Sequence, residues 1–374
     1  MKILLCGGGT GGHILPIVAI AEKLKKHAHF SDKKIELLWV GERGGQEKAI
    51  AKKYHIPFKS IFCGKIRRYF SLKNVIDIFK FPVGLLEAKR VVKKFKPDVI
   101  FGKGGYVSAP VILGARNYKI PIYIHDSDAV PGQANLSLAK YARKIFVTFP
   151  ESKKYFKHEE QNKIIISGLP LREGASFGNK REGYRVFGLE YSKPVILVMG
   201  GSQGAKKIND VMFNLIPKVV EKYQIIHFVG KRNVDEISKR IKNLTAFQQK
   251  NYHFFASIEG KNFFNAVAAA DLVISRGGAN SLFELAAMAR PAIIIPYPHA
   301  SANHQIKNAQ FFTNFGAIKV ILEKESLEND LERSIDDLMG NQEIREEMRK
   351  SIYEIYRQGA KDAAELIVNE ILKP

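Results

Sequence analysis

The chain has 374 residues and a formal net charge of +22, with 45% of its residues hydrophobic and 26% charged. Those proportions exclude a largely disordered chain, and the length suits two domains of ordinary size. Two cysteines, Cys6 and Cys63, cannot by themselves build a disulfide framework or a four-ligand zinc site, and they fit a reducing cytoplasm.

The opening Met-Lys-Ile-Leu-Leu-Cys has too short an apolar stretch before its glycines for a secretory leader, which needs roughly 7–15 such residues, and it reads as a strand. No run approaches the roughly 18–20 apolar residues of a membrane span. Residues 1–172 hold 32 basic and 13 acidic side chains, net +19, whereas residues 173–374 hold 27 and 24, net +3. An excess confined to one half points to an anionic partner there: nucleic acid, an anionic membrane or a phosphorylated substrate. No recognised nucleic-acid reader motif accompanies the charge, so nucleic acid is not an expected partner.

Short apolar runs alternate with helical patterns, which predicts parallel βαβ units. Predicted strands of the first half are Lys2–Cys6, Ile35–Val40, Asp98–Phe101, Ile122–Ile124 and Lys144–Val147, with a long helix over Lys73–Phe95. Gly168, Pro170 and the polar stretch Gly174–Gly183 read as a linker. The pattern then restarts with strands at Val195–Met199, Ile225–Val229, Leu272–Ser275 and Ala292–Ile295.

Glycine-rich turns follow several of these strands. Gly7-Gly8-Gly9-Thr10-Gly11-Gly12-His13 follows the first, Gly102-Lys103-Gly104-Gly105-Tyr106 a later one, and Gly200-Gly201-Ser202-Gln203-Gly204 opens the second half. Glycine lets backbone approach a phosphate or sugar, and a following helix offers unpaired N–H groups. Gly7, Gly9 and Gly12 also fit a dinucleotide fingerprint, with Glu42 as its ribose acid. Ser275-Arg276-Gly277-Gly278 precedes a helix predicted over 279–289, whose N-terminus suits a diphosphate. Glu284, about one turn in, is placed to accept from two ribose hydroxyls, or else serves as a first-turn acid favoured by the helix dipole. His13 at a helix start is kept neutral by the positive helix end and is a candidate base, or a capping side chain.

The stretches 7–16, 96–110, 200–205, 275–299 and 304–309 together resemble the MurG family of peptidoglycan N-acetylglucosaminyltransferases, in family order and over nearly the whole chain. The resemblance implies an α/β, GT-B fold of two Rossmann-like parallel-sheet domains facing a central cleft. It places an acceptor- and membrane-facing domain at 1–170, joined by a C-terminal helix at about 355–374, and a UDP-GlcNAc-binding domain at 171–354. The implied reaction moves GlcNAc from UDP-GlcNAc to lipid I with inversion, forming lipid II, without metal or other cofactor. The implied donor contacts are Thr10, Gly11, Gly12, Asp128, Arg172, Ser202, Ile258, Ala279, Asn280, Ser281, Leu282, Phe283, Glu284 and Gln305. Gly104, Gly105 and Tyr106 fall on the acceptor side with His13, the first candidate base, and Asp128 is the second.

The sequence departs from that family at His125-Asp126-Ser127-Asp128, where His-Glu-Gln-Asn is usual, and at Gly277, where a serine is usual and a small effect is expected. The first departure creates an Asp-x-Asp tripeptide of a type that binds metal in another glycosyltransferase class, read here as coincidence. A diacylglycerol glycosyltransferase of the same fold is the alternative enzyme. The basic and aromatic cluster Lys65, Arg67, Arg68, Tyr69 and Phe70, running into the apolar helix after it, is the expected contact with an anionic membrane. The expected location is therefore peripheral, on the cytoplasmic face of the inner membrane.

Overall fold

The computed structural model describes residues 1–30, 34–64, 72–175, 177–200 and 205–373, with the side chains of 72–79 excepted. The cluster Lys65 to Phe70 and Ser202 lie outside the described residues. The chain divides into two units, one of Met1–Arg172 with Gly359–Pro374 and one of Glu173–Gln358.

The first unit holds seven parallel strands: β1 (Lys2–Cys6), β2 (Glu36–Glu42), β3 (Phe58–Ile61), β4 (Val99–Gly102), β5 (Ile122–Asp126), β6 (Lys144–Val147) and β7 (Ile164–Ile166), in the order β3-β2-β1-β4-β5-β6-β7. The second holds β8 (Val195–Met199), β9 (Gln224–Phe228), β10 (Tyr252–Phe255), β11 (Leu272–Ser275), β12 (Ala292–Ile294) and β13 (Lys319–Val320), in the order β10-β9-β8-β11-β12-β13. The central strands are buried on both faces, as in Ile3, Leu4 and Leu5 or Ile196, Leu197 and Val198, because helices cover each side of a parallel sheet. Each sheet reverses its order at one point, between β1 and β4 and between β8 and β11. Ligands of open α/β sheets bind at the strand carboxyl ends beside such a point.

The sequence missed β3, β7, β10 and β13, and all four lie at the ends of their sheets. An end strand is covered less completely, so its apolar signal is shorter; Phe58-Lys-Ser-Ile buries only Ile61 fully. The linker expected over Gly174–Gly183 ends early. Asn179 caps a helix at Lys180–Phe187 by accepting from the Glu182 N–H, and Gly183 is buried inside it. A Cβ at Gly183 would collide with the Asn265 carbonyl, so this glycine marks close packing against the helix Lys261–Ala269 rather than a flexible joint.

The expected C-terminal helix at about 355–374 is two pieces. One helix runs Gln342–Gly359 and ends at the boundary, and a second spans Ala363–Leu372. The second belongs to the first unit, where Ile367, Val368 and Ile371 join the core of Ile14, Ile17 and Val18 on the helix Gly11–Phe30. Lys23 pairs with Glu365 across that contact. Among the described residues no helix is long and apolar enough to cross a membrane.

Candidate active site

In the first unit the turns after β1 and β4 flank the order reversal. Gly9 has φ +87, a left-handed conformation that suits glycine, and a Cβ there would lie 2.9 Å from the Tyr106 ring. Tyr106 thus lies on the first glycine turn, and its hydroxyl donates to Glu42 Oε2 at 2.5 Å. Burial and that carboxylate push the phenol pKa up, so it stays a donor. Glu42 is therefore engaged by Tyr106 and is not presented as a ribose acid.

The helix Gly11–Phe30 begins at the turn, with the Thr10 carbonyl accepting the N–H of His13 at 3.0 Å and of Ile14 at 3.2 Å. The Thr10 hydroxyl lies 3.0 Å from His13 Nδ1. Gly105 brings the second turn against the imidazole, where a Cβ would lie 3.4 Å from His13 Cε1. Thr10, His13, Gly105 and Tyr106 therefore share one site at the switch point. Below it, buried Glu47 accepts the Gly9 N–H, and burial raises its pKa.

Asp126 ends β5, and both of its carboxylate oxygens are committed to the following loop. Oδ1 accepts the Asp128 N–H at 3.1 Å; Oδ2 accepts the Gly132 N–H at 2.9 Å and Asn135 Nδ2 at 2.8 Å. The first acid of the Asp-x-Asp tripeptide is thus a loop anchor. Half-buried Asp128 is held on that loop, its carbonyl accepting from Ser152 Oγ at 3.1 Å. His125 Nε2 donates to the Gly168 carbonyl at 3.0 Å, and burial lowers its pKa well below the ordinary histidine value. Arg172, half-buried, is the last residue of this part of the unit.

In the second unit Arg276 follows β11 and is 8% exposed. Its Nη1 donates to the Ile295 carbonyl at 3.0 Å and to Glu323 at 2.5 Å, which ties the turn to the next two strands. The helix after it spans Ala279–Ala287 from an extended Gly278. Its first N–H groups, on Ala279, Asn280 and Ser281, precede the first intrahelical bond, Leu282 N–H to the Gly278 carbonyl at 3.0 Å. Leu282 and Phe283 are core residues. Glu284 is buried at 5% exposure and is the sixth residue of this helix, so the first-turn reading does not hold.

The helix His304–Thr313 meets the same turn. Asn308 Nδ2 donates to the Gly277 carbonyl at 3.1 Å, and Gln305 Oε1 accepts the Tyr297 N–H at 2.9 Å. A Cβ at Gly277 would lie only 2.6 Å from the Gln305 carbonyl oxygen. The departure at 277 is therefore not small: the helix bearing Gln305 sits where a serine side chain would begin. Ile258, half-buried, lies in the loop after β10, at the same carboxyl edge of the sheet.

Sequence reasoning missed Lys103, Glu47, Asn135 and the Arg276–Glu323 pair. The only signal for Lys103 was a lysine between two glycines just after a buried strand.

Two Rossmann-like parallel sheets, each with glycine turns at its order reversal, define the two-domain GT-B architecture of nucleotide-sugar glycosyltransferases. The chain belongs to glycosyltransferase family 28: the family's N-terminal domain matches residues 3–147 and its C-terminal domain residues 195–367. It is 38% identical over 371 residues, 99% of either chain, to a UDP-N-acetylglucosamine–N-acetylmuramyl-(pentapeptide) pyrophosphoryl-undecaprenol N-acetylglucosamine transferase of Bacillus cereus. It is 40% identical to the enzyme of that name from Clostridium perfringens, over 91% of each chain. The crystal structure of Acinetobacter baumannii MurG superposes with a TM-score of 0.74 at 27% identity, covering 100% of this chain and 99% of that one.

Proposed function

We propose that this glycosyltransferase moves GlcNAc from UDP-GlcNAc to the MurNAc 4-hydroxyl of lipid I, forming lipid II, with inversion at C1 and without a metal. The observation that carries the reading is identity near 40% over almost the whole chain to enzymes named for that transfer. The acceptor oxygen forms its bond to C1 as the C1–diphosphate bond breaks, and the electron pair leaves with UDP. His13 takes the hydroxyl proton. Nδ1 faces the Thr10 hydroxyl, and in the tautomer that carries its hydrogen on Nδ1 the proton is taken at Nε2. The N–H groups opening the helix Ala279–Ala287 are placed to stabilise charge on the departing diphosphate, which supports a transfer without a metal.

The direct test is turnover of UDP-GlcNAc with a lipid I analogue, with and without EDTA. Unchanged turnover in EDTA is expected; abolition by EDTA and restoration by a divalent cation would remove the metal-free mechanism. Absence of any GlcNAc transfer to this acceptor would remove the whole reading.

A lipid-linked acceptor calls for an enzyme that docks on a membrane surface, and we propose a peripheral location on the cytoplasmic face of the plasma (inner) membrane. The net +19 of residues 1–172 supports this. So does the helix Leu72–Phe95, where Val83 and Leu86, three residues apart, are 45% and 55% exposed. Basic side chains near an anionic surface contribute about 1 kcal/mol each. Charge reversal at Lys65, Arg67 and Arg68 is expected to reduce binding to anionic vesicles and turnover of long-chain acceptors while sparing short-chain ones. Unchanged vesicle binding would dismiss the docking role.

A further inference from the structure

Lys103 is the first residue past β4, and its place is set by the backbone: its N–H donates to the Cys6 carbonyl at 2.8 Å, beside the order reversal of the sheet. Its Cβ packs against Gly7 of the first glycine turn. The side chain is 1% exposed, and Nζ is buried with no hydrogen-bond partner. A buried ammonium is costly unless negative charge lies near it. Gly102 faces Ile124 across the β4–β5 pair, so the chain at Lys103 runs on beside His125 and Asp126. The acids that act on Lys103 are Asp126 and Asp128. Two titratable groups on the flanking strands carry no charge: burial and the lysine itself keep His125 neutral on β5, and burial pushes the Cys6 thiol on β1 up to about 12.

We infer that Lys103 is the counter-ion of the Asp126–Asp128 pair and, through it, a positioning residue for the transfer. Asp126 holds the loop at Asp128, Gly132 and Asn135 by accepting as a carboxylate. Burial and the neighbouring Asp128 both drive that carboxyl toward protonation, and Lys103 opposes them. Without the ammonium the two buried acids are unbalanced: Asp126 either takes up a proton and becomes a weaker acceptor or stays charged and repels Asp128, and in both cases the loop carrying Asp128 loosens. The lysine is what allows an acid to stand at 128.

Burial lowers the Lys103 pKa to about 8. Above that pH the counter-charge is lost in the folded protein, and activity falls. Stability moves the other way. Between about 8 and the ordinary lysine value of 10.5 the unfolded chain binds more protons at this site than the folded chain, so its contribution to stability rises with pH. A functional role and a merely structural one therefore separate.

The inference rests on the lipid I reading, and wild-type turnover in the same assay tests that reading first. Given wild-type activity, Lys103→Met is expected to lower kcat roughly 10- to 100-fold, the cost of a misplaced site group, and to abolish the alkaline fall near pH 8. Lys103→Arg should retain the charge and much of the activity. Measured against Asp128→Asn as its own reference, Lys103→Met should cost clearly less kcat than it does in the wild type, because one carboxylate fewer needs balancing. An equal loss in the Asp128→Asn background would overturn the inference. If Lys103→Met does not fold, the pH profiles of the wild type and Asp128→Asn decide: because Asp128 raises the Lys103 pKa, the alkaline fall should move to lower pH in Asp128→Asn, and identical profiles would overturn the counter-ion role.

Discussion

His13→Ala is expected to lower kcat by about 10²–10⁴, the usual contribution of a positioned general base, while thermal stability and the donor KM stay near the wild-type values. The imidazole is half-buried in the first turn of its helix, between the Thr10 hydroxyl and the Gly105 turn, and the core residues of that helix, Ile14, Ile17 and Val18, lie on other positions. Removing it takes away a proton acceptor and little packing, so the loss should fall on kcat and not on folding. Asp128→Asn, made in parallel, should keep most of the activity, since the half-buried Asp128 is held through its backbone by Asp126 and Ser152. If Asp128→Asn is the inactive variant and His13→Ala turns over normally, the base is Asp128.

On the reading that Glu284 accepts from the two ribose hydroxyls of the donor, Glu284→Ala should weaken UDP-GlcNAc binding by about 1–3 kcal/mol, roughly 5- to 150-fold in Kd. Glu284 is almost fully buried one and a half turns into its helix, on a unit anchored by Leu282 and Phe283. A donor lacking the 2′-hydroxyl supplies the second arm of the experiment. It should bind the wild type poorly and bind Glu284→Ala with little further loss, so the two changes are not additive. An unchanged donor Kd in Glu284→Ala would remove the ribose assignment.

Much of the architecture was legible before any coordinates. Buried parallel strands are continuous apolar runs, and the strands Lys2–Cys6, Lys144–Val147, Val195–Met199 and Leu272–Ser275 have the ends their sequence predicts. The glycine turns announced themselves because only close backbone approach and left-handed φ demand such runs, as at Gly9. The uneven charge of the two halves was likewise plain in the order of residues along the chain.

Tertiary structure decided what depends on a neighbour distant in sequence. The end strands β3, β7, β10 and β13 are two to four residues long and paired on one side only, so even the apolar Ile164–Ile166 is too short a run to be read as a strand without its ladder partner. Gly183 reads as a linker residue until the Asn265 backbone is seen against it, and Gly277 reads as a mild substitution until the Gln305 carbonyl occupies the space of its missing side chain. Lys103 belongs to this second group. Its residue type was plain in the sequence, but burial and opposing charge come from β1 and β5, which local sequence around a lysine between two glycines does not encode.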